Sequence, residues 1–337
     1  MKGASYPAAA CLLSGLLLLT GGCRKEEPAP QSTVIFSLSE TNTRTTTTDG
    51  DGAVGTWALL LYRDGKLSGS GTSASNAPIV MEKLDAGSWT AYAVVNPPAS
   101  FRPETFLDQA DLEAMEADLR DNAPGRLLMA GSLNFPIPVP GDGTQTIGVD
   151  RLVCRAGVQK ITTAFTDPVL ASLPFTLKSL FLTNCYGKAI LGRDMDESLL
   201  SAGSVYWYNR MGFSSDPGVD ALLSDRDIDT VISPSSPYRQ AHWFYCYPNP
   251  VVTDSRGGEW SVRRTRLVLE AEIGGHTCYY SVTLPPMERN RTYLIEEAII
   301  RTMGSGDPEE DIPGAIDIAF RTETGSWSPE YTVQENS

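Results

Sequence analysis

The feature that most constrains this chain is the recurrence of short runs of alternating apolar residues, each closed by turn residues. The clearest pair covers residues 266–273 and 277–284, turning at Gly274-Gly275. A period of two puts one set of side chains on each face, the pattern of a half-buried strand. Similar runs occur at 57–62, 88–95, 161–165, 176–184, 243–247, 293–301 and 315–321, with shorter ones at 127–129, 146–149 and 152–158. Asp64-Gly65 predicts a tight hairpin turn, because that pair accepts the positive φ angles of a type I′ loop. One amphipathic helix is expected near 106–120, where Leu112, Met115 and Leu119 share a face. The predicted fold is mainly β: two transthyretin-like or immunoglobulin-like β-sandwich domains with one or two short helices. The expected division is 33–155 and 156–337, with a long irregular insert at 192–240. A single large barrel suits a chain of 337 residues less well.

The N-terminus has its own logic. Lys2 precedes an apolar run over 8–19, broken only by Ser14 and Gly15, which leads to Thr20-Gly21-Gly22-Cys23. A spanning helix needs about 20 apolar residues, so this shorter run reads as a secretory signal, residues 1–22, ending in small residues. The junction is similar to that of bacterial lipoprotein precursors, which implies acylation at Cys23. The usual leucine three residues before the cysteine is displaced here to Leu19. The plainer alternative is an ordinary signal with a cysteine nearby. Arg24-Lys25-Glu26-Glu27 is similar to the charged tag that sends lipoproteins of the Bacteroides group to the cell surface. Residues 23–32 then form a tether. Beyond them 33–39 alternates as a strand, with Val34, Phe36 and Leu38 on one face. A polar, turn-rich stretch at 41–52 contains Arg44.

With 27 basic against 41 acidic residues, a net charge of −14, the chain lacks the basic footprint that nucleic acid requires. The same charge disfavours docking on anionic lipid, so a lipid anchor would have to hold the protein at a membrane. Cys154, Cys185, Cys246 and Cys278 follow Cys23 at wide spacing without a CxxC pair, which disfavours zinc or thioredoxin-like chemistry. On an exported, oxidising route they are either four buried thiols or two thiols and one disulfide.

Catalytic signals are poor. His242 and His276 have no partner at metal-ligand spacing, and His276 falls in a hairpin turn. Neither a nucleophile elbow nor a phosphate loop occurs. Glu296-Glu297 point to opposite faces of a strand, so they cannot converge as glycosidase carboxylates. The acidic runs 49–52 and 225–229 resemble calcium loops only loosely, since neither ends in the required Glu. Tyr206, Trp207 and Tyr208 are read as core or insert packing before any sugar platform. No enzyme and no cofactor is expected.

Several phrases, taken in order, resemble the fimbrillin family, pilin subunits of Bacteroides-group bacteria. They are Leu61-Tyr62-Arg63-Asp64-Gly65, Ala91-Tyr92-Ala93-Val94-Val95-Asn96, Leu128-Met129-Ala130-Gly131 and the crossover at 152–161. Later come Phe244-Tyr245-Cys246-Tyr247-Pro248-Asn249-Pro250, the 267–273 strand, Leu284-Pro285-Pro286, Asn290-Arg291-Thr292-Tyr293 and the phrase at 300–308. The C-terminal half matches best, and the insert matches nothing nameable. The resemblance implies a non-enzymatic fimbrial subunit at the outer membrane, supporting adhesion to a host or bacterial surface ligand. It implies cleavage by an arginine-specific protease, here placed after Arg44, and loss of the plug strand carrying Val34, Phe36 and Leu38. A strand from the next subunit would then fill the groove, with Tyr331, Thr332 and Val333 the candidate donor. Its partners would be other fimbrial subunits. The competing expectations are a surface glycan-binding lipoprotein, which keeps its first strand, and a non-cleaved anchor or tip adhesin of the same pilus.

Overall fold

The alternating runs become strands through most of the computed structural model, which describes residues 31–40, 50–138, 141–196, 207–208, 217–255 and 262–324. The first half forms a seven-stranded sheet from β1 (Ser32–Glu40), β2 (Trp57–Arg63), β3 (Lys66–Ser73), β4 (Ile79–Leu84), β5 (Gly87–Val95), β7 (Met129–Ile137) and β8 (Gly143–Arg151). Its order is β3-β2-β5-β7-β8-β1-β4. Between β2 and β3 the turn residues Asp64 and Gly65 take φ 50° and 75°, as the hairpin requires.

The sheet bends into two layers. β7 and β8 pair only at Met129 with Arg151 and at Ala130 with Asp150, so the ladder stops after two residues. A Cβ on Gly131 would lie 1.8 Å from the Gly148 carbonyl oxygen, so only glycine permits this close corner. Layers β3-β2-β5-β7 and β8-β1-β4 then enclose a core that includes Val34, Phe36, Trp57, Leu59, Leu61 and Ile147. The opposite face of the first layer is also covered. Ala58, Leu60, Tyr62, Tyr92 and Val94 join a second core that continues past residue 154 to Phe175, Tyr280 and Ile295. Burial on both faces explains the unbroken apolar run of β2.

After β6 (Glu116–Asp118), the remaining strands are β9 (Cys154–Val158), β10 (Ile161–Thr163), β11 (Phe175–Thr183), β12 (Cys185–Tyr186), β13 (Lys188–Ile190), β14 (Trp207–Tyr208), β15 (Ser224–Asp225) and β16 (Thr230–Ile232). They are completed by β17 (His242–Cys246), β18 (Arg266–Ile273), β19 (His276–Thr283), β20 (Arg291–Ile300) and β21 (Ile316–Thr324). One sheet runs β10-β20-β9-β17 with β21 added to β20; another runs β15-β11-β18-β19 with β16 added to β11. The β18–β19 hairpin turns on Gly274 and Gly275, both at positive φ. A small ladder of β13 with β6 links the two halves, supported by a Lys188–Glu116 ion pair at 2.7 Å. The described residues form one compact unit.

One expectation needs correction. The 106–120 helix is only α1 (Gln109–Glu113), followed by β6 and a 3-10 turn at Leu119–Asp121. Leu112 and Leu119 are buried as their spacing suggested, but separate elements bury them. Two competitors keep the helix short: main-chain pairing with distant β13, and, locally, the Asp118 side chain, which accepts from the Arg120 N–H. Further short helices are α2 (Pro168–Ala171) and α3 (Pro217–Leu223), the latter inside the insert with Val219, Leu222 and Leu223 buried.

Candidate functional site: the first strand and its seat

β1 begins at the first described residues and sits in the middle of its layer. On one side it runs parallel to β8, from Val34 beside Gly143 to Glu40 beside Val149. On the other it runs antiparallel to β4, pairing Phe36 with Ile79 and Ile35 with Val80. A bulge near Ser32–Val34 accompanies the positive φ of Lys83 on β4. Alternation does the rest. Val34 and Phe36 are buried, Leu38 is half-buried against the same core, and Ile35 points outward beside exposed Val80. The Phe36 ring meets Phe135 edge to face, with centroids 5.5 Å apart. Burying Val34 and Phe36 stabilises the layer by roughly 1.5–3 kcal/mol each before chain entropy is subtracted.

β4 depends on this strand. Its only ladder among the described residues is with β1. Otherwise it leans on β3, where a Cβ on Gly71 would fall 2.7 Å from Ile79 Cγ2 and one on Gly69 would fall 2.9 Å from Met81 Cε. Those two glycines let β4 side chains close the open side of the sandwich.

Downstream of β1 the chain is pinned again. Asp51 pairs with buried Arg155 at 3.3 Å and accepts from Tyr245 Oη at 2.6 Å, while Arg151 Nε donates to the Asp51 carbonyl. The Arg155 guanidinium lies 4.3 Å from the Trp243 ring centroid. Buried Asn96 accepts from Gly55 N–H and donates to the carbonyls of Ala53 and Leu127. The acidic run that loosely resembled a calcium loop thus serves as an anchor for this segment.

Toward the C-terminus, β21 pairs with β20 alone among the described residues. Ile318 and Phe320 are exposed although they alternate just as Val34 and Phe36 do.

Cys23, Arg44, Tyr331, Thr332 and Val333 lie outside the described residues, as do the side chains of Trp207 and Tyr208. Glu296 and Glu297 are each engaged separately, with Arg321 and with Lys160. His242 is the residue that sequence reasoning undervalued. It is buried, with Nδ1 2.9 Å from Asp225 and Nε2 2.6 Å from Tyr238 Oη, and burial lowers its pKa. Its place in the aromatic run 242–247 was the available signal. Tyr92, with its pKa pushed up to about 12 chiefly by burial, bonds to Glu113, whose carboxyl the bonds from Tyr92 and Gln109 hold below the usual range. One described cleft, of about 1030 Å³, is lined by Arg263, Arg266, Asp254 and Glu309. Four of its charges are taken up in the pairs Arg263–Glu309 and Arg266–Asp254, and Arg264, Asp307, Glu310 and Asp311 line it as well. Among the described residues, no group of three or more His, Cys, Asp or Glu side chains is placed to hold a metal ion.

The architecture is that of a mainly β, sandwich-like protein. No family model matches the chain, and no curated protein matches it. Solved structures do. A candidate cell adhesion protein from Bacteroides eggerthii superposes with TM-score 0.66 at 18% identity, covering 88% of this chain and 97% of that one. A fimbrilin from Porphyromonas gingivalis gives 0.61 at 14%, covering 87% and 97%. A C-terminally truncated tip fimbrial protein from Porphyromonas gingivalis gives 0.53 at 13%, covering 87% and 99%. At these identities the likeness establishes a shared fold, that of fimbrial and adhesion proteins.

Proposed function

We propose that this chain is a structural, non-enzymatic subunit of a cell-surface fimbrium, assembled by strand replacement after proteolysis. The observation that carries the reading is the position of β1. It supplies two core side chains and, among the described residues, the only ladder of β4, yet its C-terminal end leads directly into the stretch containing Arg44. A strand so placed keeps a hydrophobic groove plugged and its edges paired, which suppresses premature aggregation. Export as a lipoprotein acylated at Cys23 brings the chain to the outer membrane. Cleavage after Arg44 turns β1 from an intramolecular strand into a dissociable peptide and removes its effective-concentration advantage. The anchor around Asp51 holds the downstream chain in place as this happens. A neighbour's strand then enters, main-chain hydrogen bonds giving affinity and alternate side chains giving specificity.

The donor comes from the C-terminal end. Tyr331, Thr332 and Val333 remain the candidate segment, supported by the β21 that precedes it, which pairs with β20 alone among the described residues and exposes Ile318 and Phe320. The two halves, 33–155 and 156–337, are read as two sandwich domains, supported by the confinement of each large sheet to one side of residues 152–153. The partners are other fimbrial subunits, and the finished fimbrium supports adhesion to a host or bacterial surface ligand.

The test compares wild type with Arg44→Ala on gels run without denaturant. Wild type should form ladders, whereas Arg44→Ala should remain a folded monomer retaining its N-terminus. Deleting residues 328–337 should leave cleavage intact and block growth. Ladders from Arg44→Ala at wild-type abundance would remove the processing step from this reading.

A further inference from the structure

Three of the four buried cysteines converge where the two halves meet. Antiparallel pairing of β17 with β9 sets Cys246 directly opposite Cys154. Their sulfurs are 3.6 Å apart, and Cys154 Sγ also donates to the Cys246 carbonyl at 3.2 Å. Directly paired residues of an antiparallel ladder have Cα atoms about 4.5–5.5 Å apart. That separation lies inside the window of about 4.4–6.8 Å over which a disulfide closes without moving the backbone. Cys185 is the competitor. It is fully buried, its thiol reaches the Thr183 carbonyl at 3.8 Å, and it neighbours Cys246. Cys278 stands apart, beside Tyr280 Oη at 3.8 Å.

We propose that Cys154 and Cys246 are a modification site, oxidised to a disulfide that clamps β9 to β17 while Cys185 and Cys278 stay thiols. It rests on the export reading for its oxidising compartment. The oxidant is a disulfide donor, such as an exported oxidoreductase or oxidised glutathione. One cysteine thiolate attacks a donor sulfur and expels the first donor thiolate, forming a mixed disulfide. The second cysteine thiolate attacks the protein sulfur of that intermediate and expels the second donor thiolate. Two protons leave the protein, the donor is reduced to two thiols, and the protein is two hydrogen atoms lighter. Timing follows from burial. All three sulfurs are inaccessible in the finished fold, so no disulfide donor reaches them there. Oxidation therefore takes place as β9 and β17 pair, before the core closes. The bridge closes residues 155–245, including the 192–240 insert, into a loop that tension along a fimbrium cannot draw out.

Trypsin separates the four sulfurs, because Cys154, Cys185, Cys246 and Cys278 fall in the peptides 152–155, 179–188, 240–256 and 267–289. The full chain is denatured, reduced, refolded in a glutathione redox buffer, blocked with iodoacetamide and mapped without reduction. The expected product joins 152–155 to 240–256, with 179–188 and 267–289 alkylated. Cys185→Ser should preserve this link, and Cys246→Ser should abolish it. Four alkylated peptides, or a link between 179–188 and 240–256, would overturn the proposal. Chain recovered from outer membranes gives the second arm, with acylation read from its N-terminal peptide. An acylated chain with free Cys154 and Cys246 refutes the clamp and leaves export standing. The link in refolded chain without acylation in cells refutes export and leaves the fold's choice of pair standing.

Discussion

β1 and β21 carry nearly the same pattern and meet opposite fates. Val34, Phe36 and Leu38 alternate on one, and Ile316, Ile318 and Phe320 on the other. β1 has ladders on both sides and Val34 and Phe36 inside the sandwich; among the described residues β21 has a ladder on one side and leaves Ile318 and Phe320 exposed. Alternation says that a segment can be a strand, but packing decides how firmly it is held. The contrast is what the proposed strand replacement requires of the first strand: a segment held by packing that a competing strand must match.

The largest expected difference comes from truncating one ring in each strand. Phe36→Ala should destabilise the fold by about 3–5 kcal/mol, the usual range for a buried phenylalanine. Phe320→Ala should stay within about 0.5 kcal/mol, as exposed positions do. Urea unfolding measures both, and equal losses would erase the distinction.

Hydrogen exchange sharpens it. Because β4 has no described ladder except β1, Phe36→Ala should speed exchange at 79–84 together with 34–40, by about a hundredfold if about 3 kcal/mol is lost locally. Residues 266–283 should be unaffected. Unchanged protection of 79–84 would mean that packing on Gly69 and Gly71 holds β4 by itself.

That packing has its own test. Gly71→Val places side-chain atoms where Ile79 Cγ2 already sits and should cost about 1–3 kcal/mol through overpacking. A valine at Gly275, where an added Cβ meets no atom within 4 Å, would report only the strain of its positive φ. Thermal unfolding of the pair separates the two effects.

The smallest effect is electrostatic. Burial lowers the pKa of His242 below its ordinary value of about 6.5, so the unfolded chain binds the proton more readily. Stability should be complete above that value. It should fall as pH drops from there toward the depressed folded value, and level off below it. In His242→Gln that slope should disappear from a pH series of urea midpoints. A slope that persists unchanged belongs to other groups.

Much of the fold was legible because turn chemistry and alternation are local. Asp64-Gly65 and Gly274-Gly275 announce their hairpins, and 57–62 announces a strand. What escaped depends on distant partners. Leu112, Met115 and Leu119 have helical spacing, but pairing with 188–190 divides the segment. The Asp51 anchor looked like a stray acidic loop because Arg155 and Tyr245 lie far along the chain. Cys154 and Cys246 become neighbours only through the register of β9 with β17. The inward face of β1 could be read from alternation, whereas its central position between β8 and β4 could not.

The most direct test of the central claim is the N-terminus of the subunit within assembled fimbriae. Mass spectrometry of sheared fimbriae should find a chain starting at Thr45, with no peptide from 32–40 remaining. A polymer whose subunits begin at acylated Cys23 and retain 32–40 would contradict the account and leave β1 a permanent part of the fold.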